Sequence, residues 1–151
     1  MAVLRAAGRR IAFTNGYFDL MHVGHARYLA AARAQADALV VAVNADASVR
    51  ALKGDDRPVF PLEERMEVLA ALECVDLVTG FEERTAHEVI RAVHPDIYAK
   101  GGDYRAPEEV SEFALLQELG IDLRLLGHIE GVSTTAAIHR MRTREAGTIR
   151  G

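Results

Sequence analysis

The sequence predicts an α/β three-layer sandwich, a five-stranded parallel sheet between two layers of helices, in a single domain. Three observations carry this. Short β-branched runs alternate with longer helical patterns, as in successive βαβ units. Leu39-Val40-Val41-Ala42-Val43 is apolar on both faces, which suits a central strand covered on both sides. The chemically distinctive residues fall directly after strands, where an open parallel sheet binds its ligands.

Taken in order, Met1–Arg9 reads as a basic, flexible lead-in with no fold of its own. The domain proper runs over residues 10–144, and residues 145–151 form a frayed tail. The first strand covers about Arg10–Asn15 and feeds a helix over Gly24–Gln35. After the second strand, Leu39–Val43, a short helical piece starts at Asp46 or Ser48. Lys53-Gly54-Asp55-Asp56-Arg57-Pro58 is a charged loop. Pro61 opens the next helix, because proline is tolerated at the first helical position. Glu63 and Glu64 suit the positive end of that helix, which extends to about Glu73. Asp76–Thr79 is the third strand. Thr85-Ala86-His87-Glu88 has the form of a capping box for a helix that ends before Pro95. Ile97–Lys100 is the fourth strand, and Gly101-Gly102-Asp103-Tyr104 is its exit turn. Pro107–Leu119 is helical with Gly120 as its stop, and Leu123–Leu126 is the fifth strand. Ser133-Thr134-Thr135 caps a last helix to about Arg144. The arrangement is Rossmann-like.

Half of the 151 residues are hydrophobic, 26% are charged, and the net charge is −4. A chain of this size and balance is a soluble globular domain able to bury a substantial core. The acidic excess argues against a general nucleic-acid binder, so cations that bind phosphate must be placed locally. One cysteine, Cys74, excludes an internal disulfide, and within the apolar run Val68–Val75 it reads as a buried, inert thiol. No signal peptide or membrane span is visible, and a cytoplasmic protein is expected.

The densest chemistry lies in Thr14-Asn15-Gly16-Tyr17-Phe18-Asp19-Leu20-Met21-His22-Val23-Gly24-His25. Gly16 lets the chain leave its strand through dihedrals that a side chain forbids, and Gly24 lets backbone approach a bound group closely. A helix beginning near Gly24 points its free N–H groups and the positive end of its dipole at that position, a ready anion site. His22 and His25 share a face if the first turn is helical from His22 onward. Both can then donate to one phosphate, which suits a transition state with charge on phosphorus-bound oxygens. A His pair also suits a metal, with Asp19 as a third ligand. No Cys or Glu cluster stands nearby, so phosphate is the better reading. Further candidates are Asn44 and Asp46 after the second strand and Lys100–Tyr104 after the fourth. After the fifth strand, Gly131, Ser133 and Thr134 offer hydroxyls and N–H groups to the β- and γ-phosphates of a nucleoside triphosphate.

His22-Val23-Gly24-His25 behind Asn15-Gly16-Tyr17-Phe18-Asp19 resembles the His-x-Gly-His signature of the nucleotidyltransferase superfamily. Glu130-Gly131-Val132-Ser133-Thr134-Thr135 resembles the second signature of its cytidylyltransferase-like branch. Leu52–Pro58, Glu64-Arg65-Met66 and Lys100–Tyr104 resemble one subfamily closely, the D-glycero-β-D-manno-heptose 1-phosphate adenylyltransferases, over about Ile11–Arg140. With no sugar-kinase half in the chain, the free-standing form is expected.

The resemblance implies in-line transfer of AMP from ATP to that sugar 1-phosphate, giving ADP-heptose and pyrophosphate without a covalent intermediate. Mg²⁺ is held mainly through the triphosphate, with Asp19 as an aid; a homodimer is implied, and neither nucleic acid nor membrane is a partner. His22 and His25 would stabilise the α-phosphate, and Lys53 would neutralise the transferring or the acceptor phosphate. Thr14, Asn15, Gly16 and Phe18 would line the nucleotide, together with Asp19, Gly24 and Asn44. Arg65 would reach the triphosphate, or else pair with a Glu at helical spacing. Asp46 would aid Mg²⁺ or ribose binding, or cap a helix. Lys100, Gly101 and Asp103 would bind the acceptor. There is one departure: where glycerol-3-phosphate cytidylyltransferases carry Arg-Thr-Glu-Gly, this chain has His128-Ile129-Glu130-Gly131, which weakens a CTP reading. The alternatives are a CTP-dependent transfer to glycerol 3-phosphate or a related alcohol, a sensor that binds nucleotide without turnover, and a metal hydrolase carrying zinc.

Overall fold

The computed structural model describes residues 1–102 and 104–127. Five strands form one parallel sheet: β1 (Ile11–Gly16), β2 (Ala38–Asn44), β3 (Leu77–Phe81), β4 (Ile97–Lys100) and β5 (Asp122–Leu125). Their order is β3-β2-β1-β4-β5. The chain therefore builds outward from β1 in one direction, then returns to β1 and builds in the other. The crevice at this reversal, beyond the carboxyl ends of β1 and β4, is where such sheets bind ligands.

The helices are α1 (Ala2–Ala6), α2 (Val23–Arg33), α3 (Asp46–Lys53), α4 (Leu62–Ala70), α5 (His87–Val93) and α6 (Phe113–Leu119). Alternation along the strands divides the core in two. Ile11, Phe13, Val40 and Tyr98 pack with Ile90 and Val93 of α5 and Leu115 and Leu116 of α6. Ala12, Leu39, Val41, Val43 and Ile97 pack on the other face with Leu29 of α2 and Leu69 of α4. All seven residues of β2 are buried, as a central strand requires. At the opposite end from the crevice, Asp37, Asp76 and Asp96 accept hydrogen bonds from the backbone N–H groups of Arg10, Leu39 and Ile11, each at 2.8 Å. These carboxylates tie neighbouring strands at their starts, which holds the strand ends that build the site in fixed register.

Several local expectations are corrected. The lead-in contains α1, and Arg5 donates to the carbonyls of Val93 (2.7 Å) and His94, the last carbonyls of α5. A cation there satisfies otherwise unpaired acceptors at the negative helix end. The capping box at Thr85 does not form: α5 starts after Ala86, which is buried and brings no capping side chain. Pro61 precedes α4 as its N-cap rather than occupying its first turn, and α4 ends at Ala70, short of Glu73. The stretch 107–119 is a 3-10 turn, Pro107–Glu109, and then α6, because Val110 takes extended backbone and is buried in the core. Cys74 is half-buried rather than buried, and burial raises its thiol pKa. Among the described residues no helix is long and apolar enough to cross a membrane.

Candidate active site

The site grows from the loop that joins β1 to α2. A Cβ on Gly16 would lie 3.0 Å from the Phe18 ring, so any side chain there would press on that ring. The left-handed residue of the turn is Phe18 (φ 47°) and not Gly16, which corrects the expected reason for the glycine. Phe18 is buried, and its ring meets His25 edge-on at 5.6 Å between centroids. Its side chain supports the histidine from within the core.

His22 is the N-cap of α2 with extended backbone (φ −142°, ψ 172°), so the first turn does not begin there. The two imidazoles nevertheless lie 3.9 Å apart, because each is tied to the other's end of the turn. Nδ1 of His22 accepts from the N–H of Gly24 at 3.1 Å, and Nδ1 of His25 accepts from the N–H of His22 at 3.4 Å. An Nδ1 that accepts carries no proton, so the proton of each neutral ring sits on Nε2. The backbone thereby sets both rings as Nε2–H donors. Burial, and then the charge of neighbouring His22, lowers the His25 pKa from 6.5 to about 4, so His25 is neutral near pH 7. Gly24 is buried and its N–H is engaged by His22, so the helix-start anion site is capped at that position by the histidine itself.

Two expected ligand contacts prove to be structural ties. Asp19 is buried, and its carboxylate accepts from Arg57 Nε (2.6 Å) and from the N–H groups of Val59 (2.8 Å) and Phe60 (3.0 Å). Burial alone would raise its pKa, but these donors prevail and the carboxyl is held below its usual range. Both carboxylate oxygens are thus engaged within the protein, and among the described residues no group of three or more His, Cys, Asp or Glu makes a cation site. Arg65 has no exposed side-chain surface. Its donors bind the carbonyls of Phe60 (3.0 Å), Tyr17 (2.6 Å) and Asn44 (2.9 Å), and Asp46 (2.7 Å). It neither reaches a triphosphate nor pairs with a Glu; it joins the loops after β1 and β2 and before α4. Asp46, in the first turn of α3, is thereby its ion-pair partner, and Asn44 is buried with its carbonyl committed.

Thr14 is likewise interior: its hydroxyl lies 2.6 Å from that of Tyr28, which donates to the Ala99 carbonyl at 2.9 Å. Burial raises the Tyr28 pKa to about 12. The same ring explains Gly101, where an added Cβ would lie 2.9 Å from Tyr28. Gly101→Ala is expected to destabilise by about 1–3 kcal/mol through this overpacking. Thermal unfolding measures it, and an unchanged midpoint would refute the contact.

Asn15 and Lys100 meet through Tyr98. The Tyr98 hydroxyl donates to Asn15 Oδ1 at 2.5 Å and accepts from Lys100 Nζ at 3.3 Å. Lys100 also lies 3.6 Å from the buried carboxylate of Glu112, which accepts from Ser111 Oγ at 2.8 Å. Lys53 is the exposed last residue of α3, its Nζ 5.6 Å from the centre of the Tyr17 ring. Asp103, Gly131, Ser133 and Thr134 lie outside the described residues. Sequence reasoning missed Arg57, Tyr28, Tyr98 and Glu112. Arg57 stood within a quoted segment, but its carboxylate partner is 38 residues away; the others carry no signal outside a fold that assembles them.

The described residues thus bring His22, His25, Asn15, Lys53 and Lys100 to the carboxyl end of the sheet around the reversal point. The chain matches the profile of the family described as cytidylyltransferase-like over residues 13–140. It is 49% identical over 140 residues to the bifunctional protein HldE of Nitratiruptor sp., which covers 93% of this chain and 29% of that one. To the bifunctional protein HldE of Shigella sonnei it is 47% identical over 147 residues, covering 97% and 31%. The chain therefore spans about a third of the length of these curated relatives. Among solved structures, the lipopolysaccharide core biosynthesis protein of Thermoplasma volcanium aligns with a TM-score of 0.67 and 28% identity, over 81% of this chain and 98% of that one. Paired Nε2–H donors at the reversal of a parallel sheet, and this match over most of the chain, agree: the chain belongs to the cytidylyltransferase-like family of nucleotidyltransferases.

Proposed function

We propose that the chain transfers AMP from ATP to D-glycero-β-D-manno-heptose 1-phosphate, releasing pyrophosphate and forming ADP-heptose. The observation that carries the transfer chemistry is the close pair His22 and His25, their ring centroids 3.9 Å apart, each fixed as an Nε2–H donor. An oxygen of the acceptor phosphate attacks the α-phosphorus; the new P–O bond forms as the bond to the β-phosphate bridging oxygen breaks, and pyrophosphate leaves. A phosphate monoester is already ionised near neutral pH, so no general base is needed. The two imidazoles donate to the oxygens on which charge builds, and fixed donors of this kind are the main device for such transfers. Mg²⁺ enters with the triphosphate as part of the substrate. Asp19, engaged by three donors, does not hold it.

The acceptor assignment is supported by the segments Leu52–Pro58 and Lys100–Tyr104, by the HldE relatives, and by likeness to a lipopolysaccharide core biosynthesis protein. The test is pyrophosphate release with ATP, CTP, GTP or UTP against heptose 1-phosphate and glycerol 3-phosphate. Turnover with ATP and heptose 1-phosphate is expected. Turnover only with CTP overturns the substrates and keeps the chemistry; nucleotide binding with no turnover by any pair favours a sensor. Lys100, held between Tyr98 and Glu112, is assigned to the acceptor phosphate. Lys100→Met is therefore expected to raise the KM for the sugar phosphate by about tenfold or more, as for a lost charged hydrogen bond, and to leave the KM for ATP unchanged. A shift in the ATP KM alone would reverse that assignment.

A further inference from the structure

Two cations of this acidic chain are moored on one short stretch of the His loop. Lys53 lies over the Tyr17 ring, and Arg57 binds Asp19. Asp19 is itself held by the N–H groups of Val59 and Phe60 and cannot swing away, so Arg57 is anchored along the edge that carries Nε. Nη1 and Nη2 have no hydrogen-bond or ion-pair partner among the described residues, and the side chain keeps 18% of its surface exposed. Arg65 supplies the contrast: its Nε, Nη1 and Nη2 are all engaged and nothing of the side chain is exposed. Arg65 has the pattern of an arginine that serves only the fold. Arg57 has one edge fixed and the other open, which is the arrangement that grips two phosphate oxygens at once.

We propose that Arg57 is a phosphate-binding residue of this site, with Nη1 and Nη2 donating to phosphate oxygens of the nucleotide or the acceptor while Asp19 holds Nε. The position agrees. Asp19 stands three residues before His22 on the same loop, and Lys53 reaches that loop from the end of α3. With a net charge of −4, the chain has no general attraction for polyanions, so phosphate must be held by cations fixed in place. The proposal rests on the nucleotidyltransferase reading, and only the identity of the phosphate depends on the substrates assigned above.

The test compares wild type with Arg57→Ala, Arg57→Lys and Arg57→Gln in pyrophosphate release, varying nucleotide and acceptor separately. For Arg57→Ala, kcat/KM is expected to fall at least about tenfold, the scale of a lost charge-assisted contact. A rise in the KM for ATP assigns the triphosphate, and a rise in the KM for the sugar phosphate assigns the acceptor. Lysine keeps the charge but loses the fork, so Arg57→Lys should recover only a minor part. Full recovery by lysine, or unchanged kinetics in the alanine variant, overturns the proposal. If the alanine variant does not fold, Arg57→Gln serves in its place, since its amide can still donate to Asp19. If wild type prefers a different substrate pair, the comparison is made on that pair. If wild type turns over none, equilibrium binding of ATP and of heptose 1-phosphate to wild type and variant tests Arg57 by itself; equal affinity for both then refutes it.

Discussion

His25→Ala is expected to lower kcat by roughly a hundred- to a thousandfold, the usual cost of one preorganised donor to a developing oxyanion. His22→Ala should cost as much or more, because it also removes the cap on Gly24. The fold should persist in both, which circular dichroism checks; near-normal pyrophosphate release by either variant would end the assignment of these rings to the transition state. Because Nδ1 of each ring accepts from backbone, only Nε2 donates. His25→Gln, which keeps an N–H donor, should therefore retain more activity than His25→Ala. The lowered pKa of His25 has a consequence for stability as well. Between pH 6.5 and about 4 the unfolded chain binds a proton that folded His25 refuses, so this residue makes the fold less stable as pH falls through that window. Above pH 6.5 the penalty is absent. Urea midpoints at pH 5 and pH 7.5 should accordingly differ more for wild type than for His25→Gln. Equal differences would mean that His25 titrates normally.

Arg65→Ala is expected to be the most destabilising single change in the site. It strands the carbonyls of Tyr17, Phe60 and Asn44 and leaves Asp46 without its cation. Breaking a buried, hydrogen-bonded charge costs roughly 3–5 kcal/mol. For a domain of this size that corresponds to a fall of roughly 6–20 °C in Tm. Arg65→Lys should lose most of the same stability, since one ammonium does not span four acceptors in three segments. A direct triphosphate contact predicts the opposite pattern, a protein of normal Tm with weakened ATP affinity. Differential scanning calorimetry beside ATP titration separates the two.

Most of the architecture could be read in advance because strand and helix periodicities are local. The run Leu39–Val43 announced the central strand, and Gly120 closes α6 in the left-handed conformation its position suggested (φ 68°). Boundaries slipped where burial outweighed local preference, as at Ala86 and Val110. The same division runs through the site. His22 and His25 were legible because three-residue spacing at a strand exit is itself a chemical pattern. Thr14, Asp19 and Arg65 were assigned to ligands because their residue types suit phosphate and metal, yet each serves a partner in another segment. Arg65 illustrates why: Asn44 and Tyr17 lie 21 and 48 residues away, and no local pattern reports such a distance.

From the order of residues alone came the parallel α/β class, the placing of the chemistry at strand ends and the two imidazoles, all of which depend on contacts within a few residues. Packing decided which polar side chains face a ligand and which hold loops together, whereas the proton of each imidazole is set on Nε2 locally, by backbone N–H groups two and three residues away. A buried charge must find its partners wherever the fold brings them, and those partners are chosen by the topology of the sheet.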